Sequence, residues 1–91
     1  MNTLLITYNL NRGDDDYAAL FEKIRELGTC WHNASQLDSV WFVRTTLSVA
    51  QASKKISSAM DADLDAWVVI DITGQDHQGW AAESLWKFIE A

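Results

Sequence analysis

Residues 3–28 read TLLITYNLNRGDDDYAALFEKIRELG: a short apolar run, a turn signal, and then apolar residues at helical spacing. The run 3–9 is partly β-branched and predicts a first strand that stops at Asn11, Arg12 and Gly13, residues that favour turns. Tyr17, Leu20, Phe21, Ile24 and Leu27 then recur at i, i+3, i+4 and i+7, which is one face of an amphipathic helix, with Gly28 as its natural stop. Asp14, Asp15 and Asp16 stand where that helix starts. Carboxylates there cap free N–H groups and complement the helix dipole, so they are read as a helix start and not as metal ligands.

A strand followed by a helix must bury its apolar side against something, and the rest of the chain supplies the partners. Residues 29–34 and 39–46 (SVWFVRTT) predict two antiparallel strands joined by the polar connection 35–38. Ser48 with Gln51 forms a capping-box signature, and Val49, Ala52, Ile56 and Met60 give the stripe of a second helix. After the acidic connection 61–65, residues 66–72 (AWVVIDI) predict a fourth strand, 73–79 a loop, and 80–90 a final helix carrying Leu85, Trp86, Phe88 and Ile89. The order β-α-β-β-α-β-α implies one α+β domain over residues 1–91. Its topology is ferredoxin-like β-α-β-β-α-β with an added C-terminal helix and an antiparallel four-stranded sheet in the order four, one, three, two.

Both main helices then lie on one sheet face and the other face is open. Taking Arg44 and Asp71 as outward markers, strict alternation turns Val40, Phe42, Trp67 and Val69 outward as well, with Leu5, Thr7 and Asn9 on the first strand. An open face this apolar marks an association surface, so these four residues are the candidate interface of a homodimer.

Composition bounds the function. The 91 residues carry a net charge of −6, and the seven Lys and Arg side chains are scattered, so nucleic-acid binding is possible but not supported by charge. The N-terminal residues have no basic leader and no uninterrupted apolar span, which predicts a cytoplasmic protein without membrane association. One cysteine, Cys30, excludes an internal disulfide or a Cys-based zinc site within the chain and reads as a small buried hydrophobe. His32 and His77 sit in no metal-binding array, Ser48 has no histidine in a pairing motif, and Gly74 and Gly79 lack phosphate-loop spacing; no catalytic residue, metal or cofactor is called for. The five Trp residues are assigned to core or dimer packing, since no neighbouring cations accompany them as in single-strand binders. The predicted topology brings the ends of strands one and two to the same edge, which makes Asn9, Arg12 and His32 the candidate residues for binding a phosphate or small anion, although His32 reads first as a hydrogen-bonded structural histidine.

The stretches TLLITYNLNRGDDDY, LGTCWH, SVWFVRT and WAAESLWKF resemble the SinR-like family of small proteins. That group is similar in turn to the second CRISPR-associated protein, the small subunit of the spacer-adaptation complex, and to virulence-associated protein D. The resemblance implies a ferredoxin-like homodimer and, in the CRISPR-associated relatives, a carboxylate at the end of the first strand as the divalent-metal ligand. Asn9 occupies that position here, and a neutral amide lacks the charge that a hard cation needs to offset its dehydration. The expected function is therefore a noncatalytic, homodimeric Cas-two-like interaction or regulatory protein of unknown protein partner. A metal-dependent ribonuclease or deoxyribonuclease and a noncatalytic nucleic-acid-binding module are the alternatives.

Overall fold

The computed structural model describes residues 1–11 and 17–91. The elements run β1 (Asn2–Asn9), α1 (Tyr17–Arg25), β2 (Thr29–Trp31), β3 (Val40–Thr45), α2 (Val49–Ser57), β4 (Ala66–Asp71) and α3 (Glu83–Glu90). All strand pairs are antiparallel and the sheet order is β2-β3-β1-β4, the ferredoxin-like arrangement expected, with α3 added. Arg12 and the three aspartates Asp14, Asp15 and Asp16 lie outside the described residues. Among those residues no helix is long and apolar enough to cross a membrane.

Alternation along β1 puts Leu4, Ile6 and Tyr8 on the face that α1 and α2 cover. There they join Trp41 and Val43 from β3, Leu20 and Ile24 from α1, and Ala52 and Ile56 from α2 in one buried core. Removing a side chain such as Leu4 or Ile24 from water contributes about 1.5–3 kcal/mol relative to leaving it exposed. The helices end as their sequences dictate. Ser48 accepts a hydrogen bond from the Gln51 backbone while the Gln51 side chain accepts one from the Ser48 backbone, so the predicted capping box holds the start of α2.

Gly28 follows α1 for a different reason from the usual left-handed cap. A Cβ there would stand 2.1 Å from the Arg44 carbonyl oxygen, so only glycine lets the chain pass this close to β3. Gly74, with φ of 69°, is the glycine whose turn needs the left-handed region.

Three boundaries differ from expectation, the first being α2, which closes at Ser57, ahead of Met60 and of the expected end near Asp61. β2 is only Thr29–Trp31, because His32 turns its ring onto Trp41 and the chain enters the 33–38 turn region early. α3 begins at Glu83 and not at residue 80, which leaves Trp80 in the irregular segment that precedes it.

Candidate functional site

The second sheet face is where the structure departs most from the alternation argument. Val40 and Phe42 do turn away from α1 and α2, but Trp67 and Val69 do not: both pack against the helix-covered core. The register decides this, since Val69 stands opposite the buried Ile6 and Trp67 opposite Tyr8, and antiparallel partners share a face. Trp67 also reaches α2, its Nε1–H donating to Ser53 Oγ at 3.1 Å. Asp71 misled the parity because it closes the strand. There, exposed on the helix side, its carboxylate accepts from the Thr73 backbone and hydroxyl and is held below its ordinary range by those bonds. The outward residues of β4 are Val68 and Ile70, 50% and 48% exposed.

Nor is the second face open throughout. α3 lies on it and leaves Phe42 only 6% exposed, with Leu85 buried beside it. Several contacts fix the helix. Trp31 Nε1–H donates to Ser84 Oγ at 3.0 Å, and the Ala82 backbone N–H donates to Gln36 Oε1 at 2.8 Å. At the other end Arg44 donates through Nη2 to the Phe88 carbonyl and stacks its guanidinium 4.6 Å from the Phe88 ring centroid. A cation thus meets the carbonyl-rich end of α3, where the helix dipole favours it.

α3 does not fill the space beneath it. A half-open cavity of about 370 Å³ remains between the helix, the sheet and the segment after β4, walled by Leu5, Phe42, Ile72, Leu85, Trp86 and Ile89. His77 stacks on Trp86 with ring centroids 5.9 Å apart and places Nε2 3.6 Å from Glu90, so the segment after β4 is braced against α3. Asp76 and two glutamines complete the polar rim.

Of the three anion-binding candidates the structure describes Asn9 and His32, and these two do not converge. β1 and β2 are parallel with β3 between them, so Asn9 and His32 do share one end of the sheet. Yet β1 alternation turns Asn9 to the second face, exposed, while His32 lies on the helix face, stacked 4.3 Å from Trp41. His32 Nε2 is 2.8 Å from the Asp38 carbonyl oxygen; a carbonyl only accepts, so Nε2 carries the proton. The same oxygen accepts from Tyr8 Oη at 3.5 Å, and Tyr8 Oη accepts from Trp41 Nε1 at 3.1 Å. With Arg25 over Phe21 and Trp41, this is a satisfied polar network inside an aromatic cluster. It explains His32 as a structural residue. Cys30 beside it is half-buried, and burial pushes its thiol up.

At the end of β1 the described residues offer no fitting donor set for the metal role attached to the resemblance. Asn9 offers an amide oxygen, and the nearby Asp65 spends Oδ1 on the Asn11 backbone and Oδ2 on the Asp61 backbone. Among the described residues no three His, Cys, Asp or Glu side chains gather as a metal site. Lys23, Lys54 and Lys55 line one groove on the helix face, a convergence the sequence does not reveal, but Lys23 is already 3.5 Å from Glu26. Compared with models of known families and with curated proteins, the chain matches none.

Sequence reasoning missed Val68, Ile70 and Trp80. For β4 a signal existed in the pattern itself: AWVVID has apolar residues at both parities, so Asp71 alone was too weak a marker. For Trp80 the signal is its setting between Gly79 and Ala81, outside the stripe made by Leu85, Trp86, Phe88 and Ile89.

Proposed function

We propose that the protein is a noncatalytic homodimer of Cas-two-like character, acting by interaction or regulation. The observation that carries this reading is the apolar outer strip of β4. Val68 and Ile70 are half exposed on an edge strand that among the described residues pairs only with β1, and Ala66–Asp71 holds no proline, no lysine and no charge before its last residue. Edge strands in monomers are ordinarily blunted by such devices, because their free N–H and C=O groups recruit further strands. A second copy approaching with the same strip pairs the edge and buries the side chains at once. The acidic composition and the neutral Asn9 support the noncatalytic part, since phosphates call for clustered cations and a hard cation for a carboxylate at the Asn9 position.

Ile70→Asp tests the association. The side chain is half in water, so the fold tolerates the change, while a carboxylate opposite its symmetry mate is repelled. Velocity sedimentation should show the wild-type chain as a dimer and the variant at least about tenfold weaker in self-association. An equally tight Ile70→Asp dimer would remove β4 from the interface.

A further inference from the structure

Four of the five tryptophans are engaged within the chain. Trp31, Trp41 and Trp67 donate their indole N–H to Ser84, Tyr8 and Ser53, and Trp86 stacks on His77. Trp80 is the exception: it is 101% exposed and has neither a hydrogen bond nor a ring contact among the described residues. A Trp side chain left wholly in water forgoes the burial of about 150–250 Å² of surface, most of it apolar.

The cavity beneath α3 is what such a ring fits. Its wall is apolar and aromatic, with Leu5 and Phe42 from the sheet and Leu85, Trp86 and Ile89 from the helix, and its rim carries Asp76, Gln75 and Gln78. An indole seated there buries both faces and leaves its N–H at a rim of carboxylate and amide acceptors. The cavity also abuts the strip on β4, because Leu5 is the cross-strand partner of Ile70 on the same face. A knob and a matching hole on one sequence, joined by a continuous apolar surface, form a self-complementary pair.

We infer that Trp80 of each protomer inserts into the cavity between α3 and the sheet of a second copy, so that two reciprocal indole contacts anchor the dimer. The inference rests on the homodimer reading above and names the contact that reading leaves open. Neither anchor depends on opposing charges, which suits association between chains that each carry a charge of −6. The exposed residues Val68 and Ile70 lie beside the filled cavity and bring the buried surface toward the 1,200–2,000 Å² that is roughly typical of stable complexes.

Sedimentation equilibrium of the full chain tests this with two variants. Trp80→Ala removes the knob and, from a fully exposed position, leaves the melting curve unchanged at concentrations too low for association. Ile89→Trp plugs the hole from inside. Each variant alone should self-associate at least about tenfold more weakly than the wild type. Mixed in equal amounts they should form a dimer of intermediate strength, because the mixed pair keeps one intact knob with one intact hole. N-acetyltryptophanamide at millimolar concentration, competing for the cavity, should dissociate the wild-type dimer, a readout that holds even if Ile89→Trp fails to fold. A wild-type dimer with an equally tight Trp80→Ala dimer, or one indifferent to the competitor, overturns the Trp80 contact and leaves the homodimer standing. A wild-type chain that stays monomeric at high concentration overturns both.

Discussion

A methyl group on Gly28 would meet backbone and not a yielding side chain: the Arg44 carbonyl oxygen is 2.1 Å from where the Cβ would stand. Gly28→Ala must push the start of β2 away from β3 and should cost about 1–3 kcal/mol or more, as overpacking does. Gly74→Ala meets open space and carries only the strain of its positive φ, about 1 kcal/mol. Equilibrium denaturation of the two variants should rank them in that order. Tyr8 gives a second test at this scale. Burial, opposed by the hydrogen bond from Trp41, pushes its phenol up to about 12 from an ordinary 10. A raised folded-state value means that the unfolded chain loses this proton first. The contribution to stability is therefore complete below pH 10 and is lost as pH rises from there through about 12. Spectrophotometric titration in a Tyr17→Phe background should place the phenol transition near 12 while the protein stays folded; a transition at 10 before unfolding would contradict the buried network around Asp38.

Among the elements, α3 shows most clearly what was legible in the sequence and what was not. Helical spacing of Leu85, Trp86, Phe88 and Ile89 announced a helix, and the patterns of β1, α1, β3, α2 and β4 announced the ferredoxin-like order, because each depends only on local period and local turn residues. Where α3 docks is a tertiary choice. The outward Phe42 and Arg44 of β3 looked like an open surface and a solvent charge, yet one is buried under the helix and the other caps it. The inward turn of Trp67 and Val69 was equally hidden, since register with β1 sets it and AWVVID is apolar in both directions. His32 and Asn9 reached the same sheet end as expected and then faced opposite ways, one residue parity apart. Arg44→Ala removes the bond to the Phe88 carbonyl and the stacking on its ring, together worth about 1–2 kcal/mol. Hydrogen exchange should accelerate in Glu83–Glu90 and much less in β1 and β3. Uniform acceleration across the sheet would show that Arg44 supports the whole fold and not α3 in particular.

For the molecule as a whole, the covered and uncovered parts of the second sheet face divide the labour. α3 shields β2, β3 and Phe42, while Val68, Ile70 and Trp80 remain in water on a chain small enough for that exposure to matter. Phe42, one of the four residues expected at a dimer surface, is therefore a fold residue, and the strip on β4 is the proposed interface in its place. Small-angle scattering over a concentration series tests this account most directly. A lone chain has a Cα radius of gyration of 12.8 Å, and a compact pair of such chains has about 16 Å by the size scaling of folded proteins. The proposed association predicts forward scattering for twice the 10.3 kDa chain mass and a radius of about 16 Å or somewhat more at high concentration. Single-chain mass with a radius near 13 Å throughout the series would contradict it.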